Sequence, residues 1–193
     1  MSAKVKILAF GGSLRKNSYN KKVAKIAAIG AANSGAEIID LDLSEFPLPI
    51  YNQEIEDASG LPDNAISIKK MMIESDGFII SSPEYNSSIS AVLKNTIDWA
   101  SRRVGDEAPL IAFKDKTALL VAASPGALGG LRGLVHIRDI LGNLGMHVLA
   151  DQYAVSKAHE MFDTQGEMID QTTKDKLISL GSKFAGFTAK LKT

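Results

Sequence analysis

An α/β fold, with a parallel sheet as the middle of three layers, follows from two observations. Short continuous apolar runs alternate with stretches of helical periodicity, five of each along 193 residues. Runs without a polar face belong to strands buried on both sides, as in sheets sandwiched between helices. The length suits one domain, since a single core serves chains up to roughly 250 residues.

The strands and helices can be placed in order. Val5–Phe10 (VKILAF) is an apolar run that ends in a Gly-Gly-Ser turn, so it reads as the first strand. Asn20–Asn33 is helical and is stopped by Ser34 and Gly35, as glycine stops helices. Glu37–Leu43 is the second strand, and Pro47 and Pro49 forbid its continuation. Asp63–Glu74 is a helix with Ile66, Met71 and Ile73 among its apolar positions, and Gly77–Ser82 is a buried strand closed by Pro83. Ser88–Arg102 carries Ile89, Val92, Leu93, Thr96, Ile97 and Ala100 at i, i+3, i+4, i+7 spacing, the clearest helix in the chain. Trp99 lies at the edge of that apolar arc, where core or interface packing is the simplest reading. Thr117–Ala123 is a strand, Leu131–Leu144 a helix, His147–Leu149 a short strand and Gln171–Leu191 a terminal helix. Residues 151–170 read as a long connection. Alternation of this kind builds βαβ units, and the expected solution is a flavodoxin-like three-layer sandwich with a five-stranded parallel sheet of order 2-1-3-4-5.

Composition removes several functions. Lys+Arg and Asp+Glu balance at 22 each, so no net field draws the chain to nucleic acid or an anionic membrane surface. Cysteine is absent, which excludes disulfides, thiolate zinc, iron–sulfur clusters and a cysteine nucleophile. The opening MSAKVKILAF has too short an apolar run for a signal peptide, and no stretch approaches the roughly 18 apolar residues of a membrane span. A cytoplasmic location is expected. His136, His147 and His159 are too far apart for an HExxH pair, and no GxSxG elbow is present. His136 reads as a helix-surface residue, and Asp40 and Asp42 read as loop caps at a strand end.

In an open α/β sheet the ligand binds beyond the carboxyl ends of the strands, where strand order reverses. Three turns meet there: Gly11–Asn20, Pro83–Ser88 and Ser124–Arg132, all rich in Gly, Ser, Asn and Pro. The first (GGSLRKNSYN) runs into a helix start. Free amides, the helix dipole, Ser13, Ser18, Asn20 and Arg15 converge on one spot suited to a phosphate monoester. It matches neither the Walker A loop nor the GxGxxG fingerprint. The plainer reading is a turn capped by Asn17 or Ser18. In the second, Pro83 and Asn86 make a stiff turn and Tyr85 offers an aromatic face, against a plain reading of Tyr85 as a half-buried loop aromatic and Glu84 as a solvated helix charge. In the third, Gly126, Gly129 and Gly130 allow backbone to approach a ligand closely, or simply make the turn.

These three ordered segments, with LKNTIDW at residues 93–99 and GGLR at 129–132, resemble the NADPH-dependent FMN reductase family, which includes quinone, chromate and azo-dye reductases. The resemblance covers nearly the whole chain, most clearly residues 4–150. It implies that Ser13, Arg15, Ser18 and Asn20 hold the FMN phosphate. It places Pro83, Glu84, Tyr85 and Asn86 on the ribityl chain and ring, and Ser124, Gly126, Gly129 and Gly130 along the ring's other edge. The third loop departs from many relatives by opening Ser-Pro-Gly.

The implied activity is transfer of a hydride from NADPH or NADH through FMN to a quinone, or to free flavin, an azo dye or a metal oxyanion. The flavin carries the chemistry, so no catalytic side chain is assigned. The rival from another class is a flavodoxin-type electron carrier, which the zero net charge disfavours. Association is expected as well. Helix Leu131–Leu144 is apolar nearly all round, with Leu131, Leu134, Val135 and Leu141 read as one side and Ile137, Ile140 and Leu144 as the other. With helix 88–102 beside it, this implies a homodimer or tetramer, in line with the family.

Overall fold

Apolar runs with no polar side are satisfied only when both faces are covered, and the three central strands of the sheet sit in that position. The computed structural model describes residues 4–192; Met1–Ala3, the start of the stretch read for targeting, lie outside the described residues. The strands are β1 (Lys6–Gly11), β2 (Glu37–Leu41), β3 (Gly77–Ser81), the short β4 (Glu84–Tyr85) and β5 (Ser88–Ile89), β6 (Thr117–Ala123) and β7 (His147–Val155). The helices are α1 (Tyr19–Asn33), α2 (Gln53–Ser59), α3 (Asp63–Glu74), α4 (Ala91–Ala100), α5 (Leu131–Asn143) and α6 (Gln171–Leu191). The main sheet has the order β2-β1-β3-β6-β7 and all its pairs are parallel, which is the expected topology.

Alternate residues of each strand enter opposite cores. Ile7, Ala9, Ile79, Leu119 and Val121 pack under α1 and α6 against Val23, Ala27, Leu177 and Phe184. Leu8, Phe10, Phe78, Ile80 and Leu120 pack under α3, α4 and α5 against Ile68, Met72, Leu93, Ile97, Leu134 and Ile137. The polar connections are thereby left at the two sheet ends.

Several expectations need correction. The last strand continues to Val155 instead of stopping at Leu149. The polar stretch at residues 150–152 that looks like its end is a bulge, where β7 advances from Val148 to Gln152 while β6 advances from Ala118 to Leu120. Arg138 of α5 fills it, donating from Nη2 to the Leu149 carbonyl at 2.9 Å and to Gln152 Oε1 at 3.0 Å. What remains of the connection is a brace rather than a loose link. Lys157 N and Ala158 N donate to the carbonyls of Gly126 and Ser124, and Phe162 stacks on Tyr19 with centroids 5.5 Å apart.

The expected helix 88–102 is two elements. Ser88–Ile89 pairs antiparallel with Glu84–Tyr85 across a two-residue turn in which Asn86 and Ser87 have φ of 51° and 68°. Two positive φ values make the type I′ geometry of tight hairpins, here without the glycine that announces it. The helix proper begins after Ser90, whose Oγ accepts from Leu93 N at 3.3 Å.

Of the two packing readings of Trp99, core packing is the one observed. The side chain is fully buried, its Nε1 donates to the Pro49 carbonyl at 2.9 Å, and Tyr51 meets it edge-on at 5.0 Å. Residues 47–61 close over it and include α2, which has no buried residue and so no apolar periodicity to read. Arg102 Nε on the Glu56 carboxylate, at 2.8 and 2.9 Å, holds that helix in place.

On α5 the buried stripe is Leu134, Ile137 and Leu141, while Leu131 and Val135 are exposed. The two sides inferred from the sequence are therefore divided differently. Asp42 caps the 3-10 turn Leu43–Glu45 by accepting from Ser44 N at 2.9 Å, as a loop cap should. The second strand accordingly ends at Leu41.

Candidate functional site

The three loops leaving β1, β3 and β6 meet at the carboxyl end of the sheet around a shallow hollow of about 70 Å³. Its lining takes Ser13, Arg15, Ser18 and Asn20 from the first loop, Pro83, Glu84 and Tyr85 from the second, and Ser124 from the third. Tyr19, Ala123 and Pro125 line it too and were missed, although all three lie within or beside the motifs. Asn86, Gly126, Gly129 and Gly130 are not part of that lining. A larger hollow of about 720 Å³ lies at the opposite, amino end between Gly35 and α6, rimmed by Lys4 and Lys192. It lacks convergent loops, so the chemistry belongs to the smaller one.

A helix start presents amides with no helical partner and the positive end of the macrodipole. Of the helices that begin at this end of the sheet, α1, α4 and α5 leave the three convergent loops, and the protein itself satisfies two of these. Ser90 caps α4. Glu84 caps α5 from the neighbouring loop: its Oε2 accepts from Arg132 N at 3.0 Å and Gly133 N at 3.4 Å, and its Oε1 from Arg132 Nε at 2.6 Å. The third, α1, has no acidic residue in its first turn, and Ser18 stands at its N-cap position without making a capping bond. Ser18 is only 3% exposed. Among the described residues no sealed side-chain polar atom lacks a partner, so the Ser18 hydroxyl opens to the hollow. Ser13 Oγ accepts from Arg15 N at 3.2 Å and keeps its proton to give. The Arg15 side chain is exposed and has no ion-pair partner among the described residues. An open helix start, two hydroxyls and a free guanidinium form an anion seat.

Other predicted residues have different jobs. Asn20 Oδ1 accepts from Ser81 Oγ at 2.8 Å and Ala123 N at 3.0 Å, while Nδ2 donates to the Ala123 carbonyl at 2.8 Å. It pins the start of α1 across the ends of β3 and β6, with one amide hydrogen left over. The Glu84 side chain is neither solvated nor free to reach a ring, because α5 holds it. Gly129 and Gly130 have φ of 62° and 98°, and a Cβ there would fall 2.7 Å from Ser156 N and 2.8 Å from the Ala122 Cβ. Their lack of side chains answers to their own chain, not to a ligand. Ser124 Oγ accepts from Gly126 N at 3.2 Å, a local turn bond. His136 is exposed on α5 with Nδ1 2.9 Å from Ser88 Oγ.

The profile of the family described as NADPH-dependent FMN reductase matches residues 5–160. The chain belongs to that family. An NAD(P)H-dependent FMN reductase of Pseudomonas aeruginosa is 36% identical over 176 residues, covering 91% of this chain and 90% of the relative. An NAD(P)H:quinone oxidoreductase of Solanum tuberosum is 35% identical, covering 97% of this chain and 95% of the relative. The quinone reductase of Escherichia coli K12 is 32% identical with both chains fully covered. Among solved structures, the flavoenzyme NAD(P)H:(acceptor) oxidoreductase FerB of Paracoccus denitrificans superposes with a TM-score of 0.80 at 26% identity, covering 96% of this chain and 98% of that one. A flavodoxin from the domain Archaea shares the fold alone, at a TM-score of 0.61 and 9% identity. As a family member the chain is an FMN-dependent NAD(P)H oxidoreductase. The observed donor set suits FMN, whose phosphate monoester matches the α1 seat.

Burial pushes the Glu84 carboxyl up, but the Arg132 guanidinium and the two amides outweigh it and hold the group below its ordinary 4.5. A depressed carboxyl stabilises the fold above its unfolded pKa and loses that contribution as pH falls through the folded one. The melting-temperature gap between wild type and Glu84→Gln is expected to be constant above about pH 5 and to close as pH drops below 4.5. A gap that stays flat down to strongly acid pH would contradict the cap.

Proposed function

We propose that FMN binds with its phosphate on the start of α1 and its ring between the second and third loops, and that the enzyme reduces quinones. The observation that carries the phosphate end is the contrast among helix starts: α4 and α5 are satisfied from within and α1 is not. Ser13 and Ser18 donate hydroxyl protons to phosphate oxygens, the first-turn amides of α1 add theirs, and Arg15 supplies the counter-charge. When bound, FMN supplies two-electron transfer between the pyridine nucleotide and an acceptor. Tyr85, 52% exposed at the rim, offers a flat face, and loop amides beside the ring favour the negative charge it gains on reduction. Quinone as acceptor rests on the names of the Solanum tuberosum and Escherichia coli relatives.

A second copy completes the enclosure. The hollow of about 70 Å³ is far below the roughly 300–1,000 Å³ of a small-molecule pocket. Around its mouth Leu14, Tyr85, Leu128, Leu131 and Val135 are exposed, an apolar patch of the kind that marks interfaces. The partner surface is thus α5 with the loop tips, and the buried Trp99 of α4 takes no part. The proposal keeps the cytoplasm as location, since a cysteine-free chain needs no oxidising compartment.

Protein loaded with FMN should lose its visible flavin colour on anaerobic addition of NADPH and regain it on addition of a quinone. Persistence of the colour over minutes would contradict the enzymatic reading and favour a carrier. Arg15→Ala should weaken FMN by roughly 10- to 150-fold, from a charge-assisted bond of about 1.5–3 kcal/mol, while riboflavin, lacking the phosphate, is unaffected. Equal losses for both flavins, or none, would remove Arg15 from the phosphate seat. Light scattering at micromolar concentration should give at least a dimeric mass, reduced to the monomer by Leu131→Glu with Val135→Glu. A monomeric wild type would contradict the shared interface.

A further inference from the structure

The β4–β5 hairpin is not part of the main sheet. Two strands of two residues are not stable on their own in water, so its position is set by whatever it is fastened to. That is the first two turns of α5. The Glu84 carboxylate takes the Arg132 guanidinium at 2.6 Å and the amides of Arg132 and Gly133. Gly133 leaves the hairpin room to seat, since a Cβ there would lie 3.3 Å from the Ser88 carbonyl and 3.5 Å from the Glu84 Cβ. Ser88 Oγ meets His136 Nδ1 one turn later. The Glu84 side chain is 8% exposed and that of Arg132 58%, so a buried carboxylate depends on a half-exposed guanidinium. The first loop is held without Glu84 or Arg132, by Asn20 to β3 and β6 and by the α4 cap Ser90, which follows the hairpin and donates from Oγ to the Gly12 carbonyl at 2.6 Å.

We propose that Glu84 and Arg132 are a latch that positions the ring-binding half of the site independently of the phosphate seat. This rests on the flavin reading above. Glu84 and Arg132 are positioning residues: their side chains hold each other and the start of α5, and what faces the ring is the hairpin they hold still. The ring's grip on the protein therefore depends on the latch, and the phosphate's does not.

The test titrates FMN and riboflavin into wild type, Glu84→Ala, Arg132→Ala and the double variant, with native circular dichroism confirmed for each. Glu84→Gln, which keeps the side chain's shape, is the second variant in case alanine at this position does not fold. Each single variant should weaken both flavins by the same factor, about 5- to 30-fold, as expected for a lost charge-assisted contact. The double variant should lose no more than the worse single, because one interaction cannot be broken twice. The visible band of bound FMN, which reports the ring's surroundings, should shift in the latch variants and stay unchanged in Arg15→Ala. Wild-type affinity for both flavins, a loss confined to FMN, an unshifted band, or losses that multiply in the double variant would each overturn the latch. A wild type that binds neither flavin would overturn the flavin site itself, and the latch with it.

Discussion

The helix start left open at Ser18 is the constraint on which the rest of this site depends. Helix amides at the end of a parallel sheet are costly to leave without partners, and the protein spends Ser90 on α4 and Glu84 on α5 to avoid that. At α1 it does the opposite. The first turn has no acid, the capping serine makes no cap, and Arg15 and Lys16 just before it are exposed. Such an end is stable when an anion completes it, and a terminal phosphate is the anion we propose for it.

The surrounding fold makes the opening rigid. Asn20 ties α1 to two strands through three hydrogen bonds. Phe162 stacks on Tyr19 from outside, and the Lys22 ammonium lies 5.1 Å from the Phe162 ring centroid. The segment after β7 also holds the third loop through the Ser124 and Gly126 carbonyls. Residues 156–162 thus join the start of α1 to the third loop, behind a cavity whose open side faces solvent and exposed apolar side chains. An enzyme that must admit a nucleotide and then an acceptor needs a site held firmly from behind and open in front.

Where periodicity reports burial, the sequence was a reliable guide. Runs such as Phe78–Ile80 and Leu119–Val121 have no polar face, and their placement in the middle layer with the right strand order followed directly. Where polar contacts decide, it was not. Helix α2 is held by the Glu56–Arg102 pair and carries no apolar stripe. The β7 bulge hides a continuing strand because Arg138, on the preceding helix, satisfies its carbonyls. The site shows the same division. Ser13, Arg15 and Ser18 gather where the motif puts them, since a strand–turn–helix dictates their position. Glu84 and Asn20 carry side chains whose partners lie on other elements, α5 for one and β3 and β6 for the other, and residue type alone says nothing of which way each turns.

The most direct measurement of the central assignment is a crystal structure of the FMN complex. The account predicts phosphate oxygens within hydrogen-bond distance of Ser18 Oγ and the first amides of α1, with the Glu84 carboxylate still on Arg132 and Gly133. A phosphate seated at the start of α5 in place of Glu84, or left in solvent with Ser18 unpaired, would contradict it.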